Sequence, residues 1–168
     1  EPLARLGAEV TAIDAGEDAI EAARLHCEKS ELTIAYRQIS AEQLAIEEER
    51  FDCVLTLEVV EHVADLPSFL EASAELIRPG GTFFAATLNR TAASYLLGIV
   101  AAERILRWLP PGIHQWSKFV RPSELAGALE KGGASVQDIT GVTYDPLQDE
   151  WQKGRDVAVN YLMVASKP

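Results

Sequence analysis

Glu58, Glu61 and His62 stand in the run Leu57-Glu58-Val59-Val60-Glu61-His62, directly behind the apolar stretch Phe51-Asp52-Cys53-Val54-Leu55-Thr56. At i, i+3 and i+4 the two carboxylates and the imidazole share one face if a helical turn begins at this point. Such a face can hold a divalent cation through hard oxygen donors, or relay a proton through His62. The plainer alternative is a pair of acids complementing the dipole of a helix start, with His62 packed locally. Asp14 is a second candidate. It closes the β-rich residues 9–14, where an acid either accepts hydrogen bonds from ribose hydroxyls or caps the helix that follows. His114 lies in a Pro/Gly-flanked loop and is either a contact for a substrate ring or an ordinary surface histidine. His26 falls within a helical run and has no functional case.

These side chains need strands that end beside one another. Residues 51–57 form a continuous apolar run of the kind expected in the buried middle of a parallel sheet, and ligands bind outside the carboxyl ends of such strands. Residues 9–14 and 32–39 read as two further strands, with a helix over 17–28 between them. Asp65-Leu66-Pro67-Ser68 opens a helix that runs to about Ile77 and is stopped by Arg78-Pro79-Gly80-Gly81. Residues 82–88 are again a strand, closing on Asn89-Arg90. The alternation predicts a Rossmann-like, doubly wound α/β sheet with right-handed crossovers. Pro122 opens a helix to Lys131. Residues 135–144 and 157–166 then read as antiparallel neighbours, because the polar loop 145–156 is too short for a crossover helix.

Residues 91–108 differ from the rest. They are dominated by Ala, Leu, Ile, Val and Tyr95, with Ser94, Glu103, Arg104 and Arg107 as the few polar positions, and Pro110-Pro111-Gly112 follows. A helix apolar around most of its circumference is deeply buried, covers a greasy ligand, or touches lipid. At 168 residues, 48% hydrophobic and 24% charged, the chain fits one domain with this helical insert at about 91–114. A net charge of -11 argues against a nucleic-acid partner and against polybasic docking to anionic lipid, so membrane contact would be apolar. Cys27 and Cys53 read as buried or free thiols rather than a disulfide, which fits a reducing compartment. No run is long enough to cross a bilayer.

The Asp14 strand end, Ser40-Ala41-Glu42, residues 57–63 and Arg78-Pro79-Gly80-Gly81 occur in the order of the class I methyltransferases that use S-adenosylmethionine. More narrowly, Glu58-Val59-Val60-Glu61-His62-Val63, Thr87-Leu88-Asn89-Arg90, Gly112-Ile113-His114 and Val159-Asn160-Tyr161 resemble the O-methyltransferases of ubiquinone biosynthesis, which methylate polyprenyl catechols and demethylubiquinol. The resemblance covers essentially the whole chain. It implies a mostly parallel sheet with an antiparallel C-terminal strand. It also implies cofactor contacts at Asp14, Ala41 and Leu57, a Mg²⁺-like site at Glu58, Glu61 and His62, and catalytic roles for His62 and His114. Asn89 and Asn160 either bond the substrate or tie loops together. Residues 91–109 become a lid for a polyprenyl tail and a peripheral membrane contact.

The same resemblance implies a place at the mitochondrial inner membrane, matrix side, in a eukaryote, or at the cytoplasmic side of the inner membrane in a bacterium. A multi-enzyme biosynthetic complex is a further possible partner. The family's first strand and its glycine-rich loop have no counterpart before Glu1, so the chain is expected to be a fragment with two bare strand edges and to be inactive alone. Two other readings stand beside this one: a methyltransferase for another small acceptor, and a non-catalytic lipid-binding or scaffold subunit.

Overall fold

The structure is a computed structural model describing residues 1–105, 110, 112, 114–145 and 148–168, with only the backbone described for 102–105. It resolves into two compact units, residues 1–49 and 50–168.

In the first unit, α1 (Pro2–Arg5) leads to β1 (Thr11–Asp14), α2 (Glu17–Lys29), β2 (Ala35–Gln38) and α3 (Ala41–Ile46). β1 and β2 pair in parallel, with Asp14 opposite Gln38. α2 carries Glu17 and Asp18 in its first turn and His26 and Lys29 in its last, the arrangement that complements a helix dipole. It buries Ile20 and Cys27. α3 begins with a capping box: the Gln43 backbone N–H donates to Ser40 Oγ, and the Ser40 N–H donates to the Gln43 side chain, both at 3.2 Å.

The second unit holds β3 (Phe51–Leu57), α4 (Leu66–Glu75), β4 (Ile77–Leu88), α5 (Ala92–Ser94), a π-helix (Tyr95–Ile105), a 3₁₀ turn (Trp116–Lys118), α6 (Pro122–Lys131), β5 (Ser135–Asp145), β6 (Glu150–Gly154) and β7 (Asn160–Ser166). Its sheet has the order β3-β4-β7-β5-β6. β3 and β4 are parallel, and the remaining ladders are antiparallel. α4 starts where Asp65 accepts from the Ser68 N–H at 3.2 Å, with a proline in its first turn. α4 and α6 cover one face of this sheet. Leu70 and Ala74, Leu125 and Leu129 close over Phe83, Ala85, Tyr161, Met163 and Ala165. Each large apolar side chain buried this way is worth about 1.5–3 kcal/mol.

Four expectations change. The Arg78-Pro79-Gly80-Gly81 turn does not end α4. The helix stops at Glu75, and the four residues form an irregular stretch inside β4, where the register slips between Phe51 and Cys53. β3 is covered on one face rather than buried on both. Val54 and Thr56 turn toward the helices while Cys53, Leu55 and Leu57 stay exposed, so Cys53 is a free, exposed thiol. An apolar run signals that both faces suit burial, but α4 and α6 cover only one. The loop 145–156 contains β6, which extends β5 as an antiparallel hairpin. Residues 91–105 form a short α-helix followed by a π-helix rather than one α-helix; Leu106, Trp108 and Leu109 lie outside the described residues. β1 pairs only with β2 and β3 only with β4 among the described residues, so each keeps one bare edge, as the sequence reading expects.

Candidate functional site

In the first unit the predicted cofactor residues share one end of the parallel pair. Asp14 closes β1, and Ala41 opens α3 three residues after β2 ends. Asp14 is exposed, and its Oδ1 accepts from the Gly16 N–H at 2.7 Å, fixing the turn into α2. Ala41 is buried beneath the capping box.

In the second unit the rim is made by the carboxyl ends of β3 and β4. Leu57 is paired with Ala86 and is 54% exposed, so it is not a core leucine. The Glu58 N–H continues the ladder to the Ala86 carbonyl at 2.8 Å, and Glu58 then takes a left-handed φ of 56°. An L-residue in that region is uncommon and bends the chain sharply. The chain therefore does not start a helix. Residues 60–62 form a turn closed by the His62 N–H on the Val59 carbonyl at 2.9 Å. This overturns the expectation of one helical face shared by Glu58, Glu61 and His62.

The turn buries Glu61 to 3% exposure and leaves His62 exposed. Glu61 Oε2 accepts from the Thr87 hydroxyl at 2.8 Å, while Oε1 is buried and without a hydrogen-bond partner. Glu58 faces it. Burial, followed by the Glu61 charge and a hydrogen bond between the two carboxyls, pushes the Glu58 pKa up to about 7. A carboxylate pair this close shares a proton, because both cannot remain charged cheaply. The Glu58 proton is thus the natural partner of the orphaned Glu61 oxygen. The phenol of Tyr161 donates to the Val120 carbonyl at 3.0 Å, and burial together with the Glu124 and Glu61 charges raises its pKa.

His62 meets His114 instead of the acids. Their ring centroids are 6.3 Å apart, and His114 stands edge-on to the buried Phe119 at 5.8 Å. Among the described residues, no group of three or more His, Cys, Asp or Glu is gathered to hold a metal ion. Glu58, Glu61 and His62 are therefore not gathered as the expected three-residue ligand set, which leaves the two carboxylates to consider. Those two suit a hard cation, and the unpartnered Glu61 oxygen is where such an ion would replace a proton.

Asn89 ties loops: its side-chain amide donates to the Val157 carbonyl at 2.9 Å. Asn160 opens β7, opposite Leu88 of β4 and Val142 of β5. His26 pairs with Glu1. Beyond β4, Ala92, Tyr95, Leu96 and Trp116 line an open apolar cleft of about 460 Å³. Sequence reasoning missed Thr87 and Trp116. Thr87 follows Ala86, the partner of Leu57, so strand register would have placed its hydroxyl beside the acids.

Solved structures with this architecture include methyltransferases. A magnesium protoporphyrin IX methyltransferase from Synechocystis PCC 6803 with bound SAH matches with a TM-score of 0.68 at 17% identity, over 99% of this chain and 67% of that one. A SAM-dependent methyltransferase from Methanosarcina mazei matches at 0.70 and 16% identity, over 99% and 85%. The fold is that of the class I S-adenosylmethionine-dependent methyltransferases, and the methyltransferase domain family matches residues 1–85. Curated relatives narrow the class. Proteins named ubiquinone biosynthesis O-methyltransferase from Brucella anthropi and Methylobacterium sp. (strain 4-46) are 52% and 51% identical over all 168 residues, which span 68% of each. One from Chelativorans sp. (strain BNC1) is 52% identical and is spanned to 66%. The chain belongs to the ubiquinone biosynthesis O-methyltransferase family, and is a SAM-dependent methyltransferase.

Proposed function

We propose that this protein transfers a methyl group from S-adenosylmethionine to a phenolic oxygen of a polyprenylated catechol or demethylubiquinol, and that Glu58 and Glu61 activate that oxygen. The observation that carries this reading is the pair of facing carboxyls at the end of β3, one of them holding a buried oxygen without a partner. In the first unit Asp14 accepts hydrogen bonds from the cofactor's ribose hydroxyls and Ala41 borders the adenine, as the family resemblance implies; Leu57, in the second unit, is a further cofactor contact implied by the same resemblance. A Mg²⁺ ion bound by Glu58 and Glu61 would lower the pKa of the acceptor hydroxyl and orient it. His62 and His114 flank the acceptor, and an imidazole there can serve as the base for the phenolic proton. Positioning of the oxygen against the methyl group supplies much of the rate.

The exposed Tyr95, Leu96 and Leu97 support a contact with the substrate's apolar tail and with a membrane surface. No helix among the described residues is long and apolar enough to cross a membrane.

The test compares Glu61→Ala with the parent, both in the full-length enzyme, on a prenylated catechol. Turnover should fall by at least about 100-fold, with cofactor affinity held within about twofold, as for loss of a group that acts on the reacting atoms. Calorimetric titration with Mg²⁺ should show binding to the parent and none to the variant. Retained turnover, or an equal loss of cofactor binding, would refute the assignment.

A further inference from the structure

We propose that Arg90 is a positioning residue for the acceptor side of the site, clamping the segment that carries His114 and Trp116 onto the exit of β4. The inference rests on the reading that the acceptor sits at the rim built by Glu58 and Glu61.

Arg90 lies two residues beyond β4, on a base that cannot easily move. The neighbouring Asn89 N–H donates to the Val159 carbonyl at 2.7 Å, its side chain holds Val157, and its carbonyl accepts from the Ser94 hydroxyl. From this base the guanidinium reaches two partners. Nη1 donates to the Ser117 carbonyl at 3.2 Å, within the 3₁₀ turn, and Nη2 pairs with the Glu124 carboxylate. The other Glu124 oxygen accepts from the Arg121 N–H at 3.1 Å, where α6 begins. One side chain therefore joins the β4 exit, the 3₁₀ turn and the start of α6. A planar fork can make both contacts at once, which a lysine point charge cannot.

The segment so held bears on the site. Trp116 Nε1 donates to the Thr91 carbonyl at 2.8 Å, and its ring stands edge-on to Tyr95. His114, two residues earlier, faces His62. Downstream, Phe119 and Val120 are buried, and the Val120 N–H bonds the Leu88 carbonyl at 3.0 Å. Those downstream anchors survive loss of Arg90, so the core stays folded while the turn is freed to shift. A partly exposed ion pair adds little stability. The effect of this one is geometric: it holds His114 and Trp116 at a set distance from the acids, where small displacements are costly to rate.

The experiment measures kcat, the KM for a short-chain prenylated catechol, the KM for S-adenosylmethionine and Tm in the purified enzyme, for Arg90→Met, Arg90→Lys and Glu61→Gln. Arg90→Met should raise the catechol KM by about tenfold, leave the cofactor KM within about twofold and shift Tm by only a few degrees. Arg90→Lys, which keeps one contact, should fall between parent and Arg90→Met. A catechol KM unchanged in Arg90→Met, or raised equally with the cofactor KM, would overturn the proposal. If Arg90→Met does not fold, a catechol KM in Arg90→Lys equal to the parent's overturns it as well. Glu61→Gln separates the two ideas. A silent Arg90→Met beside a dead Glu61→Gln removes the clamp alone, whereas an active Glu61→Gln removes the rim assignment on which it stands.

Discussion

Glu61→Gln should make the protein more stable at alkaline pH while abolishing its activity. In the parent, Glu61 is 3% exposed, its Oε2 accepts from Thr87, and its Oε1 is buried without a partner. Glu58 titrates at about 7, raised first by burial and then by the Glu61 charge. Its folded pKa thus lies above the unfolded value, so folding takes up a proton between the two. That contribution to stability is fully present below the unfolded pKa of 4.5 and is lost as pH rises through about 7. At pH 8 Glu58 has lost the proton that bridged to the buried oxygen.

The glutamine amide keeps an acceptor for Thr87, turns an N–H₂ toward Glu58 and removes one of two like charges. Relieving an unsatisfied buried polar atom is worth about 1–3 kcal/mol, and repacking strain reduces that to a net gain of about 1–2 kcal/mol at pH 8. For a chain of this size the gain corresponds to a Tm rise of about 3–6 °C. At pH 5.5, where Glu58 is protonated and bridges the gap, the gain should shrink toward zero. Thermal and urea unfolding at the two pH values, in chelator-treated buffer, measure this directly. A variant less stable than the parent at pH 8, or equally stabilised at both values, would refute the shared-proton account. Mg²⁺ should stabilise the parent at pH 8 and leave the variant's melting point where it is.

Thr87→Val keeps the shape but removes the donor to Glu61 Oε2. It should cost about 1.5–3 kcal/mol in urea unfolding, with Thr87→Ser restoring most of the loss. Gly141→Ala should be among the most damaging single-methyl additions. A Cβ there would lie 1.8 Å from the Asp156 carbonyl oxygen, so the turn before β7 must lift off β5; unaltered stability in a thermal melt would contradict that packing. Replacing Tyr95, Leu96 and Leu97 together by serine should reduce flotation with liposomes while leaving the circular dichroism spectrum unchanged. Equal flotation would remove the peripheral contact.

The α/β character of the chain, the helices near residues 17–29, 66–75 and 122–131, and the rim acids Asp14 and Glu58 were legible from periodicity and stop signals, since those are local properties of adjacent residues; the helix Ala41–Ile46, read as a turn, was not. Pro67 with Asp65 marks a helix start wherever it occurs, and an acid after a β-rich run marks a strand exit. Tertiary structure decided what the local pattern left open. The i, i+3, i+4 spacing of Glu58, Glu61 and His62 was compatible with a helical turn. The left-handed φ at Glu58 and the Thr87 hydroxyl reaching over from β4 instead buried one acid and sent the histidine toward His114. β3 reads as buried on both faces because it is apolar, yet Cys53, Leu55 and Leu57 are exposed, because burial depends on which elements pack against each face. Residues 26 apart in sequence, Glu61 and Thr87, become partners only through the β3–β4 register. Side-chain periodicity says which face a residue occupies; only the folded packing says what it meets there.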